Sequence, residues 1–288
     1  MRVALLQIAS PPEEAMADRV GRVGGMVGAA ASDGAGLIVL PELWAPGYFA
    51  FDQYAARAET LSDGGTVSAM SGWARSLRVH LLGGSVLERG AAGAIHNTAV
   101  LFDPEGTLVH AYRKTHMYGY QSREAELLTP GRELTSVRTD FGVVGSATCY
   151  DVRFPEVFRN LLDQGTQTAL VPAAWPVDRI AHWRLLTSAR AVENQMYVLA
   201  CNAAGEQGSV ELGGHSRVVG PWGEVLAEAD GADEQVVSAD IDLAAVDEAR
   251  ASFPVTRDRG VGVGRPGSGS GSSAPSAAGS SRPRQRSL

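Results

Sequence analysis

Short apolar runs rich in β-branched residues recur along most of the chain, and helix-length segments separate several of them. The runs include "RVALLQI", "GLIVLPE", "GVVGSAT" and "YVLACN". Runs of this length are typical of buried strands, and helices between strands are typical of crossover connections. The pattern therefore predicts a mixed α/β fold, and the 44% content of hydrophobic residues is enough to build its core.

Turn and helix signals refine this prediction. The turn signal "DPEG" at 103–106 lies between two apolar runs and predicts an antiparallel hairpin, so the sheet structure is not purely parallel. Helices are expected at residues 15–31, 66–77, 155–162, 181–195 and 243–252. In the fourth helix, apolar residues recur at three- and four-residue steps and predict one buried stripe. The stripe consists of Leu185, Leu186, Ala189, Val192 and Met196.

The composition of the chain changes near residue 260. Residues 260–288 consist mainly of Gly, Ser, Pro and Arg. A segment of this kind cannot bury apolar surface, which predicts a flexible tail. We therefore expect one folded domain at residues 1–259 and a tail at residues 260–288.

Charge and cysteine content narrow the class of partner and the compartment. The formal net charge of −7 offers no basic stripe for nucleic acid or an anionic membrane, and favours a small-molecule partner. Two cysteines are too few for a disulfide framework and are typical of a reduced, cytoplasmic protein. The first apolar run is short and contains Gln7, so we interpret it as a strand and not as a signal peptide. No run approaches the roughly 20 apolar residues of a membrane helix.

The six histidines are scattered along the chain. None forms a pair at metal-ligand spacing with another histidine or a cysteine, so the sequence predicts neither a metal nor a cofactor. Cys201 lies within the apolar run "YVLACN" and is interpreted as a packed thiol.

Cys149 lies where apolar sequence becomes charged, because it follows "VVGSAT" and precedes Asp151 and Arg153. A packed thiol prefers apolar neighbours. Two further reactive residues also follow strand-like runs: Glu42 follows "LIVLP", and Lys114 follows "LVHAYR". Because α/β sheets generally carry their ligands at the carboxyl ends of strands, we expect the three side chains to converge. The alternative is that Glu42 and Lys114 are solvated surface charges.

Convergence of these residues would assemble the parts of an acyl-transfer site. A thiol attacks only as the thiolate, so Cys149 needs a base or a nearby positive charge. Glu42 is the candidate base, and Lys114 is the candidate cation that lowers the thiol pKa and holds an oxyanion. The turn after Cys149 leaves backbone N–H groups unpaired, and that of Tyr150 is a candidate second oxyanion donor.

The stretches "LPELW", "YRKTH" and "TCYDVRFPE" resemble the Glu-Lys-Cys motifs of the nitrilase, or carbon-nitrogen hydrolase, superfamily and occur in family order. The similarity extends through residues 172–205 and the late stretch "GGHSRVVGPWGEVLAE", and covers the chain from about Val3 to Phe253. The residues that follow the cysteine are most similar to those of the amidase branches, in particular the ω-amidases.

This resemblance implies a four-layer α-β-β-α sandwich of two mixed sheets with outer helices, paired into homodimers or larger homo-oligomers. It also implies a second glutamate between the lysine and the cysteine, shortly before a Pro-Gly pair. Glu124 and Glu126 are available, and the spacing to Pro130 favours Glu124 in a supporting role beside Lys114. No cofactor is implied.

The function implied by the resemblance is a thiol hydrolase of non-peptide C–N bonds. The substrate would be a small carboxamide, such as an ω-amide of a dicarboxylic acid, cleaved to a carboxylate and ammonia. Arg153 and Arg179 are candidate partners of its distal carboxylate, and Tyr48 and Trp175 are candidate pocket walls. Arg153 has an alternative role in bracing the turn after Cys149. The alternative functions are an N-carbamoyl amine or amino acid amidohydrolase, a nitrilase, and a catalytically silent binding member of the fold.

Overall fold

The computed structural model describes residues 1–231 and 233–260. Within these residues the chain forms two six-stranded sheets packed face to face, with helices against both outer faces. The predicted α/β class and the four-layer arrangement of two mixed sheets are confirmed. The tail expected at 260–288 lies, apart from Gly260, outside the described residues.

The described residues contain fourteen strands. In chain order they are β1 (Arg2–Gln7), β2 (Leu37–Val39), β3 (His80–Arg89), β4 (Ile95–Phe102), β5 (Leu108–Arg113), β6 (Ser136–Thr139), β7 (Gly142–Ser146), β8 (Thr168–Ala173), β9 (Tyr197–Asn202), β10 (Ala204–Gln207), β11 (Val210–Gly213), β12 (Arg217–Val219), β13 (Val225–Glu228) and β14 (Gln235–Asp240). The first sheet has the order β14-β1-β2-β3-β4-β5, the second has the order β13-β12-β9-β8-β7-β6, and β10 and β11 pair separately.

Each large sheet combines a parallel centre with antiparallel flanks. Strands β1, β2 and β3 are parallel, as are β7, β8 and β9, and the outer strands join them antiparallel. The predicted hairpin is β4–β5, and its turn is closed by the Gly106 N–H, which donates to the Asp103 carbonyl at 2.9 Å. The Asp103 side chain also accepts the N–H groups of Glu105 and Thr107, because aspartate caps such turns locally.

The five predicted helices are all present, with every bound within one residue of the prediction. Together with two short helices they are α1 (Met16–Ser32), α2 (Tyr54–Arg57), α3 (Gly65–Leu77), α4 (Glu124–Leu127), α5 (Pro155–Asp163), α6 (Ile180–Asn194) and α7 (Ala244–Ser252). Helix α5 begins at Pro155, where the missing N–H needs no intrahelical acceptor. None of the described helices is both long enough and apolar enough to cross a membrane.

Strand β1 shows how the layers are held together. Val3 and Leu5 pack with side chains of the second sheet, whereas Ala4 and Leu6 pack with α1 and α3. Side chains alternate between the two faces of a strand, so a continuous apolar run suits a sheet that is covered on both sides. The second sheet is covered in the same way by α5 and α6.

The buried stripe predicted for α6 is only partly present, because Leu186 packs against the core and Met196 is buried but two other members are exposed. Leu185 is 67% exposed and Val192 is 45% exposed, whereas the helix buries Trp183, Thr187 and Arg190. The two buried polar side chains donate hydrogen bonds to backbone carbonyl groups, which makes their burial tolerable. Periodicity therefore located the helix correctly but did not identify which of its faces is covered.

The carboxyl ends of strands from both sheets meet at one end of the sandwich. Glu42 lies shortly after β2, and its backbone N–H donates across the sheets to the carbonyl of Ala173, the last residue of β8. Lys114 directly follows β5, and Cys149 lies three residues after the end of β7. The fold thus brings together three side chains that are far apart in the sequence.

Candidate active site

Cys149 lies in a sharp turn that begins a short 3₁₀ helix, Cys149–Arg153. Its φ of +48° lies in the left-handed region that non-glycine residues rarely adopt. The Asp151 side chain accepts the Thr148 N–H at 2.9 Å, and the Asp151 N–H donates to the Thr148 carbonyl at 3.0 Å. These bonds hold the turn in its unusual conformation, as strained backbone at a reactive residue requires.

Asp151 also ties this turn to the segment that carries Lys114. Its carboxylate accepts hydrogen bonds from the Tyr112 hydroxyl at 2.7 Å and from the His116 backbone N–H at 3.1 Å. The His116 ring nitrogen lies 2.8 Å from the same carboxylate. Asp151 is fully buried, so its place is behind the nucleophile turn and not in the pocket.

Lys114 is fully buried and lies between two carboxylates. Its ammonium group donates to Glu42 Oε1 at 2.8 Å and to both oxygens of Glu124, at 2.8 and 2.9 Å. The alternative that Glu42 and Lys114 are solvated charges is therefore wrong, because both are withdrawn from solvent.

Glu42 is 1% exposed and is held by donors from both sheets. Its Oε2 atom accepts the Ala174 N–H at 2.9 Å, and its Oε1 atom accepts the Asn97 side-chain amide at 2.8 Å. The next residue, Leu43, has a φ of +44°, so the chain turns sharply here as it does at Cys149. Glu42 is thereby fixed in position before any substrate arrives.

Glu124, at the start of α4, is fully buried in contact with Lys114. It also accepts the Tyr48 hydroxyl at 3.1 Å and the Tyr118 N–H at 2.8 Å. A fourth donor, after Lys114 and the two tyrosines, is Asn97, whose side-chain amide lies 3.1 Å from Glu124 Oε1. Sequence reasoning missed Asn97, although a polar residue inside the apolar run "HNTAVLF" was a usable signal.

Burial sets the electrostatics of this group of side chains. Burial favours a neutral amine, but the carboxylates of Glu124 and Glu42 outweigh it and raise the pKa of Lys114 well above its ordinary value. Burial raises the pKa of Glu42, opposed by Lys114 and assisted by Glu124. Burial and the Glu42 charge raise the pKa of the Cys149 thiol well above its ordinary value, although Lys114 acts to lower it. The expected cationic lowering of the thiol pKa is therefore present but outweighed.

A pocket of about 340 Å³, including its open mouth, leads down to Cys149. All four residues predicted from the sequence as substrate-binding line it. Its walls are Tyr48, Phe49, Tyr118, Tyr150, Arg153, Ala174, Trp175, Pro176 and Arg179. Cys149 is 7% exposed and lines the pocket, whereas Glu42, Lys114 and Glu124 are at most 1% exposed and do not line it.

Two guanidinium groups lie at this pocket. Arg153 stacks over the Trp175 ring at 4.6 Å, and Arg179 lies over the Tyr120 ring at 5.4 Å and the Tyr118 ring at 6.0 Å. Among the described residues neither guanidinium forms an ion pair with a carboxylate. Both positive charges are therefore available to an anionic group in the pocket.

Tyr150 is the second residue of the 3₁₀ helix, so its backbone N–H lies in the first turn, where no intrahelical acceptor exists. The same residue lines the pocket beside Cys149. A thiol, a carboxylate that contacts it, a buried cation and a free backbone donor are the components needed to attack a carbonyl group and stabilise the resulting oxyanion.

Comparison with known proteins agrees with this geometry. The family model described as "Carbon-nitrogen hydrolase" matches residues 2–251. The chain is 39% identical over 264 residues to "2-oxoglutaramate amidase" of Paenarthrobacter nicotinovorans, covering 89% of this chain and 88% of that protein. It is 37% identical over 253 residues to "Omega-amidase NIT2" of Danio rerio, covering 84% of this chain and 89% of that protein.

A solved structure supports the same assignment. Nit3 of Saccharomyces cerevisiae, described as a member of branch 10 of the nitrilase superfamily, has a TM-score of 0.81 and 31% sequence identity to this chain. The match covers 89% of this chain and 95% of the yeast chain. The resemblance inferred from the three motifs is thus confirmed, and the chain belongs to the carbon-nitrogen hydrolase family.

Proposed function

We propose that the protein hydrolyses a small carboxamide to a carboxylate and ammonia through a thioester on Cys149. The observation that carries this proposal is that Glu42, Lys114 and Glu124 form a buried group of ion pairs behind Cys149, which lines the pocket. Burying two carboxylates and an ammonium is costly, and such groups are concentrated at functional sites.

In the first half-reaction Glu42 accepts the Cys149 proton as the sulfur attacks the amide carbon. The raised pKa of Glu42 makes it a stronger base than an ordinary glutamate. Lys114 and the Tyr150 N–H donate to the oxyanion of the tetrahedral intermediate. Glu42 then gives the proton to the departing nitrogen, so that ammonia leaves and the thioester remains.

In the second half-reaction Glu42 removes a proton from water, which attacks the thioester carbonyl. The same two donors hold the second oxyanion, and Glu42 returns the proton to the Cys149 sulfur as the carboxylate product leaves. Glu124 fixes Lys114 through two hydrogen bonds and has no step of its own. The cycle balances with water alone and uses no cofactor.

We propose that the substrate is an ω-amide of a short dicarboxylic acid. Arg153 and Arg179 supply two unpaired positive charges for a distal carboxylate, and Tyr48 and Trp175 supply apolar walls for a short chain. The names of the two relatives, 2-oxoglutaramate amidase and Omega-amidase NIT2, support the same substrate class.

Ammonia release from three amides tests the proposal. The substrates are 2-oxoglutaramate, an amide of the same length without the distal carboxylate, and an N-carbamoyl amino acid. We expect 2-oxoglutaramate to react fastest. Replacing Arg153 or Arg179, whichever contacts the distal carboxylate, by alanine should lower kcat/KM for 2-oxoglutaramate roughly 10- to 100-fold. The kcat/KM for the carboxylate-free amide should change little in that variant.

Arg159→Ala is the matched control, because Arg159 lies on α5 and donates to the Glu193 carbonyl. Fastest turnover of the carbamoyl compound would contradict the substrate proposal.

We also propose that the protein is a cytoplasmic homo-oligomer. Both cysteines are free thiols, as a reducing compartment allows. Leu185 and Val192 of α6 are exposed apolar residues, as are Trp222 and Phe253, whose rings stack, and exposed apolar surface of this kind supports self-association. Sedimentation analysis should give a dimer or larger, and Leu185→Arg should shift it toward monomer. A monomer at micromolar wild-type concentration would contradict the proposal.

The catalytic unit is proposed to be residues 1–259. Residues 260–288 contribute no apolar periodicity by which a segment docks onto a domain. A chain that ends at residue 260 should retain the melting temperature and the rate of the full chain. A clear loss of either would show that the last segment belongs to the folded unit.

A further inference from the structure

Asn97 is the one neutral side chain that joins both carboxylates of the site among the described residues. Its Nδ2 atom donates to Glu42 Oε1 at 2.8 Å and to Glu124 Oε1 at 3.1 Å. The same two oxygens each accept a hydrogen bond from Lys114 at 2.8 Å. The two carboxylates are therefore bridged twice, once by the ammonium group and once by the amide group.

The orientation of this amide follows from its neighbours. With the opposite orientation, the side-chain oxygen of Asn97 would face two carboxylate oxygens, which is repulsive. In the orientation present, Oδ1 is buried and has no hydrogen-bond partner among the described residues. The amide is therefore oriented by the two carboxylates that accept its hydrogen bonds.

The β4–β5 hairpin places Asn97 beside the lysine. The Lys114 backbone N–H donates to the Asn97 carbonyl at 2.8 Å, one step beyond the last ladder pair, Thr98 with Arg113. The register of the hairpin therefore places Asn97 opposite Lys114. Asn97 does not line the pocket, so it does not contact a substrate bound there.

The charges of the group explain why a second bridge matters. Two carboxylates and one ammonium leave a net charge of −1 in a buried site, and the charge of Glu124 raises the pKa of Glu42. The charged and titratable groups facing Glu42 are Lys114, Glu124 and Cys149, and Tyr48 reaches the group through Glu124. Like charges in a shared site tend to capture a proton. A protonated Glu42 is unable to accept the proton of Cys149.

We propose that Asn97 is a positioning residue that holds Glu42 and Glu124 around Lys114, so that Glu42 remains ionised and ready to receive the Cys149 proton. The inference rests on the proposed function, because it takes Glu42 to be the base. Asn97 acts through the carboxylates and has no contact with the reacting atoms. Removal of its two donors shifts the pH at which Glu42 is lost as a base.

The test is Asn97→Asp, which keeps the size of the side chain and replaces the donor amide with a third carboxylate. We expect kcat/KM at neutral pH to fall roughly 10- to 100-fold. We expect the acidic limb of its pH profile to move to higher pH by about one unit or more. Asn97→Ala is the second variant, because it removes the donors without adding charge, and its limb should move in the same direction.

The matched control is Asn194→Asp. Asn194, in α6, is also fully buried, and it also has an unpartnered side-chain oxygen. Its amide donates to the Arg190 carbonyl and forms no hydrogen bond with Glu42, Lys114 or Glu124. This variant is expected to lower the melting temperature and to leave the pH profile unchanged.

The rate at which iodoacetamide alkylates Cys149, measured by mass spectrometry at several pH values, reports the ionisation of Glu42 and Cys149 without a substrate. Its pH dependence should shift in Asn97→Asp as the turnover profile does. A folded Asn97 variant that loses rate with both pH profiles unshifted would overturn the inference and leave Asn97 a purely structural role. Absence of amide turnover in the wild-type protein, with a shifted alkylation profile in the variant, would reject the proposed function and retain the bridging role.

Discussion

The two cysteines are both almost fully buried and are both free thiols, but one lies beyond the end of a strand and the other lies within a strand. Cys201 lies within β9, and its thiol contacts the Leu6 carbonyl at 3.2 Å. Cys149 lies beyond the end of β7 in a left-handed turn at the floor of the pocket. Burial raises the thiol pKa at both positions.

Burial and thiol pKa therefore do not distinguish Cys149, the proposed nucleophile, from Cys201, the packed thiol. The distinguishing features are a carboxylate within reach of the thiol, a cation behind that carboxylate, and an opening to the pocket. Cys149 has all three. For Cys201 the charged neighbours are replaced by the Leu6 carbonyl and the Ser216 hydroxyl.

Removing each sulfur in turn gives the largest expected contrast. Cys149→Ala should abolish amide turnover, because the sulfur is the proposed covalent nucleophile, whereas Cys201→Ala should keep most of the wild-type kcat. Ammonia release by the purified variants measures both, with circular dichroism to confirm folding. Inactivity of a folded Cys201→Ala protein would reverse the assignment of the two cysteines.

Replacing the charged neighbours removes what Cys149 has and Cys201 lacks. Glu42→Gln should lower kcat by about 10²–10⁴ through loss of the general base, and Lys114→Ala by about 10²–10³ or more through loss of an oxyanion donor. Steady-state kinetics on folded variants measures both effects. If only KM rises, these residues position the substrate and take no part in the chemistry.

Chemical labelling separates access from burial. Iodoacetamide should modify Cys149 at least about 10²-fold faster than Cys201, because only the thiolate reacts and only Cys149 has a base and an opening to solvent. Mass spectrometry of the digested protein gives the two rates. Glu42→Gln should slow the labelling of Cys149 and leave that of Cys201 unchanged. Equal rates in the native wild-type protein would remove the distinction.

The pH profile tests the electrostatics of the pocket. Because the pKa of Glu42 is raised, activity should fall with decreasing pH at a pH above the range of an ordinary glutamate, as the base takes up a proton. Because the pKa values of Lys114 and Cys149 are also raised, deprotonation of either group should cause no loss of activity as the pH rises just above neutral. An acidic limb in the ordinary glutamate range would contradict the raised Glu42 pKa.

The smallest expected effect is on stability. Cys201→Ala removes one buried sulfur from the core between the sheets and should lower the free energy of unfolding by about 1 kcal/mol. Thermal unfolding should show a fall of roughly 2–4 °C for a domain of this size. A neutral result would indicate that the core relaxes into the space.

Local sequence predicted much of this protein because several of its features depend on near neighbours. Strand and helix positions follow from apolar periodicity, and the β4–β5 turn follows from the capping ability of Asp103. The convergence of Glu42, Lys114 and Cys149 was predicted because a residue of a reactive type at the end of a strand is visible without knowledge of the fold. The family resemblance, together with the spacing before Pro130, favoured Glu124, and the structure places Glu124 beside Lys114.

Other features required the folded chain. The covered face of α6 is the one with Trp183, Thr187 and Arg190. Trp183 and Arg190 donate to the carbonyl groups of His215 and Val152 outside the helix, and Thr187 donates to the Trp183 carbonyl within it. In α6 both an apolar face and a hydrogen-bonded polar face are candidates for burial, and the periodicity of the sequence alone does not decide between them.

The sequence by itself determined the α/β class and the family motifs and predicted the candidate site residues, since these are properties of local pattern. Only the tertiary structure decided that Lys114 is shared by two buried carboxylates and that Asn97 bridges the same pair. The reason is physical. A hydrogen bond or an ion pair depends on distances between atoms of about 3 Å, and for residues far apart in the chain those distances are set by strand register and sheet packing.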